Sequence, residues 1–246
     1  MSARRTVEAG EVKSRRERPA KDPLTRDAIV AAALDLLTRE GIEAMSLRKV
    51  AAILDTGPAS LYVYVANLQE LQALVLDRAL AGVELPAAAK GTWRERLDAL
   101  LHAYLKVLYA RPGLAQLAMT TIATGPNYLR LLETLLGLFD EAGLPPTEAA
   151  WAADVVTLYV TAIAAEKANW REQKFEIGKV ARSLDAVSPE EFPRIHAARE
   201  GIMGGGGEAR FTWALDVLVN GILKTPRPEE READKQGAAR RKTKGR

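Results

Sequence analysis

The 246-residue sequence has no cysteine and only two histidines, His102 and His196. Without cysteine there are no disulfides and no thiolate-held metals. No cysteine–histidine set can be assembled, and Ser60, taken as a nucleophile, has both histidines far along the chain. A phosphate loop, HExxH and GxSxG are also missing. An enzyme is therefore not expected, nor is a cofactor or a metal. The longest uncharged run, residues 112–129, is interrupted by Pro126, two glycines, Gln116 and Asn127, which is unsuited to a bilayer span. The N-terminus is charged and lacks the apolar stretch of a secretory signal. No internal repeat and no alternating strand pattern occurs. These absences leave a soluble, cytoplasmic, all-α protein with no membrane partner as the expectation.

Hydrophobic residues make up 48% of the chain, enough to bury a real core. The positive charge sits at the two ends. Residues 1–23 hold seven Lys/Arg against four Asp/Glu, and residues 226–246 hold eight against four. Since the whole chain is +3, the body between them is net acidic. Both ends are poor in large apolar residues and read as disordered basic tails. Arg15, Arg16, Arg18 and Lys21 would lie beside the helices described next, where they can follow phosphates or enter a minor groove.

Residues 46–70, SLRKVAAILDTGPASLYVYVANLQE, read as two short helices around a tight turn, followed by the start of a third helix. Ser46 is a natural N-cap. Leu47, Val50, Ala51 and Leu54 share a helical face. Asp55, Thr56 and Gly57 supply turn chemistry, and Pro58 suits the first position of the next helix. Leu61 and Val65 point inward, which leaves Ser60, Tyr62 and Tyr64 facing out at least in part, with Arg48 nearby. Asn67 and Glu70 form an Asn version of the capping box. Upstream, Leu24 and Thr25 open a helix with Ile29, Ala33, Leu36 and Leu37 on one face and Gly41 at its end. Such a pair can lay its second helix in a DNA major groove. Taken alone, the pattern also fits an ordinary helix pair.

From Thr92 onward the pattern remains helical. Thr92 caps a helix bearing Trp93, Leu97, Leu100, Leu101, Tyr104 and Leu108. A short helix follows over 114–122. Another opens at Pro126 with Leu129, Leu132, Leu136 and Phe139 inward and closes at Gly143. A long helix spans 147–170, residues 171–187 read as a loop, Ser188 to Glu191 caps a short helix, and the last helix covers 208–223. The long helix is apolar around much of its circumference, and so needs cover on more than one side. A cleft between such helices is a common ligand site. The lining candidates are His102, Tyr104, Gln116, Met119, Thr120, Asn127, Tyr128, Tyr159 and Asn169, which point to an apolar or aromatic small-molecule effector.

The run LTRDAIVAAALDLLTREGIEAMSLRKVAAILDTGPASLYVYVANLQELQALVLD closely resembles the N-terminal domain of tetracycline-repressor (TetR) family transcriptional regulators, above all in GIEAMSLRKVA and LYVYVANLQEL. The stretches TWRERLDALLHAYLKVLYARPG and ARFTWALDVLVNGIL resemble the ligand-binding domain of the tetracycline-repressor branch. The resemblance implies a three-helix helix-turn-helix domain over 24–70 and a helical ligand-binding and dimerisation domain over 71–225, with residues 71–84 as the connecting helix. It places Arg48 at a guanine-reading position, Tyr62 against the backbone and a thymine methyl, and Ser46, Ser60 and Tyr64 on phosphates. The full candidate DNA-contact set is Thr25, Ser46, Arg48, Lys49, Thr56, Pro58, Ala59, Ser60, Tyr62, Tyr64 and Asn67.

The sequence departs from the pattern at Pro58 and Ala59, where the tetracycline repressor reads bases with a Gln-Pro pair, so the operator must differ. Leu68 stands where many relatives carry a phosphate-binding lysine. Ala118 and Leu100 replace the family's metal-binding histidine and a key asparagine, which implies neither magnesium nor tetracycline here. Family members pair their last long helices into an intersubunit four-helix bundle. The corresponding dimer candidates are Trp151, Val155, Leu158, Phe211, Leu215, Leu218 and Ile222. A homodimer would set two reading helices ~34–36 Å apart, on a near-palindromic double-stranded DNA operator. Function is thus expected as ligand-released repression. Activation and non-specific chromosome binding stay open as alternatives.

Overall fold

A computed structural model describes residues 23–87, 91–111, 113–172 and 177–227. The basic tails expected at either end fall almost wholly outside the described residues. Among those residues there are eleven α-helices, one short 3-10 turn and no strand. The first three are α1 (Arg26–Glu40), α2 (Leu47–Ile53) and α3 (Pro58–Leu61), with the 3-10 turn Ile42–Ala44 between α1 and α2. Each begins as its sequence dictates. The Thr25 hydroxyl accepts the Ala28 amide at 3.1 Å, the Ser46 hydroxyl accepts the Lys49 amide at 3.3 Å, and α3 opens on Pro58. Ile29, Leu36, Leu37, Val50, Ala51, Leu61 and Val65 close their common core.

In the turn between α2 and α3, Asp55 takes the left-handed backbone, with φ 49°. Aspartate is among the few non-glycine residues that visit this region. The Thr56 amide returns to the Ala51 carbonyl at 2.9 Å and closes the end of α2.

α4 (Leu68–Leu80) leaves this head and enters the body. The Asn67 side chain caps it through the Glu70 amide at 2.8 Å, while Glu70 accepts from the Ala66 amide, one residue before the expected partner. The body comprises α5 (Trp93–Ala110), α6 (Leu114–Thr120), α7 (Pro126–Glu141), α8 (Pro146–Glu172), α9 (Ile177–Asp185), α10 (Pro193–Met203) and α11 (Gly207–Lys224). α5 starts with a complete capping box between Thr92 and Glu95, which holds the Glu95 carboxyl below its ordinary pKa.

α8 is the central element and packs against α5, α6, α7 and α11. Its inner face is mostly small: Ala149, Ala152, Ala153, Val156, Val160 and Ala164 are buried, so neighbouring helices approach closely. Over residues 146–170 it meets the length and hydropathy of a membrane span. Its inner face is packed by neighbouring helices, while Trp151, Val155 and Leu158 on its other sides are exposed.

Three local expectations are corrected. Residues 177–185 form helix α9 where a loop was expected. Ile177, Val180, Ala181 and Leu184 recur at helical spacing, although none of them is buried. Ser188 caps a turn through the Glu190 and Glu191 amides, and α10 begins only at Pro193. In α7 the buried set is Leu131, Leu135, Leu138 and Phe139. Leu129 is exposed, and Leu132 and Leu136 are half-buried. Adjacent leucine pairs made either stripe readable as the inner one.

Candidate nucleic-acid interface and effector cavity

The outer surface of the head gathers the sequence-predicted DNA contacts. Arg48 is exposed and has no hydrogen-bond or ion-pair partner among the described residues. Lys49 is exposed too, but pairs with Glu40 at 2.8 Å, and this contact lowers the Glu40 pKa. On α3 and the turn after it, Pro58, Ala59 and Tyr62 stand in solvent, and Ser60 and Tyr64 are half-buried. Tyr64 leans on the core and so supports this surface more than it presents it. Thr25, Ser46 and Asn67 have side-chain oxygens occupied as helix caps. Thr56 is half-buried in the turn. One residue escaped the sequence reading. Val63, beside Tyr62, is 81% exposed, the barest large apolar side chain in the structure's described part. Its signal was its place off the Leu61–Val65 stripe.

α4 ties the head to the body at both of its ends. Arg26 of α1 reaches Glu70 at 2.5 Å, and Asp27 of α1 lies 3.4 Å from Arg78. Between them Asp77 is buried and faces the N-terminus of α7. Its Oδ1 accepts the Asn127 and Tyr128 amides at 3.0 and 2.9 Å, and its Oδ2 accepts the Asn127 side-chain N–H at 3.0 Å. The carboxylate thus satisfies orphan amides at the positive end of a helix. Gly125 makes room for it, since a Cβ there would lie 2.2 Å from the Asp77 carboxyl carbon. A second junction runs through Gly113, which has φ 75° and packs on Leu37, Gly41 and Ile42 of the head.

The cavity lies directly beyond α4. It encloses about 440 Å³ between Leu76 and Leu80 of α4, Tyr104 of α5, Ala118 and Met119 of α6, Tyr128, Leu131, Leu132, Leu135 and Leu136 of α7, and Ala153, Asp154, Thr157, Leu158 and Thr161 of α8. That size suits a drug-sized molecule. Exposed Met119, Ile122 and Leu158 form its mouth, and buried Tyr104 and Thr161 its inner end. The two inner hydroxyls lie 2.9 Å apart. Burial pushes the Tyr104 pKa up, partly opposed by the bond to Thr161.

Comparison with known proteins agrees with this architecture. The tetracyclin repressor-like C-terminal domain family matches residues 85–225. The chain belongs to the TetR family of transcriptional regulators. The HTH-type transcriptional repressor DrrR1 of Streptomyces coeruleorubidus is 34% identical, over 82% of this chain and 82% of its own length. A solved transcription regulator from Streptomyces is 41% identical, with a TM-score of 0.69 over 86% of this chain and 98% of that one. The TetR family protein ActR of Streptomyces coelicolor, solved in complex with actinorhodin, is 32% identical, with a TM-score of 0.75 over 82% of this chain and 96% of that one.

In this TetR-family chain the predicted effector residues divide. Tyr104, Met119 and Tyr128 line the cavity; the other six do not. The His102 ring meets Phe211 edge-on at 5.0 Å, and its Nδ1 lies 2.8 Å from the Asp98 carbonyl. Tyr159 stacks on Phe211 at 5.8 Å. Asn127 is engaged by Asp77, Thr120 bonds back to its own helix, and Gln116 and Asn169 lie elsewhere. Residue polarity alone did not mark this wall, because seven of its nineteen lining residues are leucines. The doubled leucines of α7 were the available signal, since both members of each pair, Leu131–Leu132 and Leu135–Leu136, reach the cavity.

The predicted dimer residues divide as well. Phe211 and Leu215 are buried within this protomer, so they are corrected to internal core. Leu158 borders the cavity. Trp151 and Val155 are exposed and Ile222 half-buried around a groove between α8 and α11, with Leu218 also half-buried on α11. The exposed apolar residues of α11 that were missed are Trp213 and Val217, four apart on one face.

Proposed function

We propose that this TetR-family regulator is a cytoplasmic homodimeric repressor, released from a near-palindromic DNA operator by a small, largely apolar effector. One observation carries the reading. Helix α4 forms part of the cavity wall through Leu76 and Leu80, and the same helix is ion-paired to α1 of the head. A molecule lodged between α4, α7 and α8 cannot alter α4 without moving the surface that holds Arg48, Tyr62 and Val63. The kinship with DrrR1 favours repression as the sign.

Arg48 has the planar fork that suits a guanine edge. Tyr62 and Val63 offer apolar area to a thymine methyl, and Ser46 and Ser60 lie where hydroxyls can hold phosphates. The second copy covers Trp151, Val155, Trp213 and Val217, a set too apolar to stand in water at this density. Pairing there sets the two heads for successive major grooves. Displacing α4 changes their spacing, and a coupling of ~1–3 kcal/mol is typical of such switches.

Selection of bound duplexes from random sequence tests the proposal. It should return a two-fold symmetric site with half-sites about one helical turn apart. Exchange of Arg48 and Tyr62 together for alanine should abolish the preference. Uniform binding across sequences would replace this reading with that of a non-specific DNA-binding protein.

A further inference from the structure

The cavity's inner wall has a hydrogen-bond polarity that restricts what enters it. Thr161 Oγ1 lies 2.8 Å from the Thr157 carbonyl and 2.9 Å from Tyr104 Oη. A carbonyl can only accept, so the single Thr161 proton goes to Thr157. The Tyr104 proton is then the one shared with Thr161, and Tyr104 Oη retains lone pairs but no free proton. Thr157 Oγ1 is committed in the same way, to the Ala153 carbonyl at 2.7 Å and the Asp154 carbonyl at 3.1 Å. Along α5 and α8 the wall therefore presents three hydroxyl oxygens as acceptors. The exposed Asp154 carboxylate adds a fourth group of that kind.

We infer that the effector is an uncharged, mainly apolar molecule bearing a hydroxyl that donates its proton to Tyr104 Oη. This rests on the effector-cavity reading above and specifies its ligand. No Lys, Arg or His is among the described residues that line the cavity, so a carboxylate placed there would face Asp154 uncompensated. An ether or ketone at the inner end sets oxygen against oxygen and leaves Tyr104 Oη without a donor. A hydroxyl satisfies that atom and keeps its own lone pairs for other donors of the lining, which includes Tyr128 and Thr121. The buried phenol stays protonated at ordinary pH, so the polarity of the wall does not invert.

Three fluorescent tricyclic probes of matched shape test this on the full-length protein: 2-hydroxyanthracene, 2-methoxyanthracene and anthracene-2-carboxylate. The hydroxyl probe is expected to bind at least about tenfold more tightly than either of the others. Tyr104→Phe should bring the hydroxyl and methoxy probes to within about twofold of each other. Thr161→Val removes the acceptor for the Tyr104 proton, and so should shift preference toward the methoxy probe; circular dichroism verifies that both variants are folded. Saturable binding without a hydroxyl preference, or a preference that survives Tyr104→Phe, overturns the inference and leaves the cavity reading standing. Failure of all three probes to bind overturns the cavity reading too, while the operator selection remains an independent test of the head.

Discussion

In the head Arg48, Tyr62 and Val63 stand in solvent, whereas in the body Tyr104, Leu131 and Thr161 line a partly open cavity. Arg48, Tyr62 and Val63 are set out by α2, α3 and the turn after them, whose caps and turn lie within a few residues of the side chains they position. Tyr104, Leu131 and Thr161 come from three helices, α5, α7 and α8, that meet through mutual packing. Head substitutions should therefore change binding at little cost in stability, and body substitutions should change both. α4 belongs to both regions and is where that separation has to fail.

The largest effect should come from the body. Phe211 is fully buried and touches both His102 and Tyr159. Phe211→Ala should cost about 3–5 kcal/mol in denaturant unfolding. A loss under about 1 kcal/mol would mean that α11 is not packed as described.

Arg48→Ala sharpens the contrast from the other side. It should weaken operator binding by about 1–3 kcal/mol and relax base preference at one position per half-site, with an unchanged unfolding midpoint. A fall in stability of comparable size would break the distinction between the two regions.

Asp77→Ala tests the junction. The Asn127 and Tyr128 amides lose their acceptor, at a cost of about 1–3 kcal/mol in stability. Operator affinity should fall as well, because α4 is no longer held to α7. Loss of stability with full operator affinity would show that the head does not sense this contact.

Ser46→Ala is the smallest change and the most informative exception. Its hydroxyl caps α2. Losing it should cost about 1 kcal/mol of stability. If the same hydroxyl holds a phosphate, operator affinity at low salt should drop too. An effect on stability alone would assign Ser46 to structure.

Legibility follows the same division. Ser46, Pro58 and Asn67 announced their helix starts because capping is settled within a turn of chain. The outward placement of Arg48 and Tyr62 was legible because they lie off an apolar stripe that repeats every three or four residues. The cavity was far less readable. His102 and Tyr159 looked like pocket residues by type, yet Phe211, more than fifty residues away, claims both. Phe211 and Leu215 looked like a dimer face because an apolar helix face is the same string whether it meets its own chain or another. For α9 the helical spacing of Ile177, Val180, Ala181 and Leu184 was a signal that the loop expectation left unused.

The sequence by itself determined the all-helical class, the starts of α1 to α5 and the outward placement of Arg48 and Tyr62, since these depend on interactions a few residues apart. Only the tertiary structure decided which leucines reach the cavity, that Asp77 engages the start of α7, and that the Tyr104 and Thr161 hydroxyls meet. Each of those outcomes depends on partners about fifty residues distant, and their approach is fixed by helix packing rather than by local chain preference.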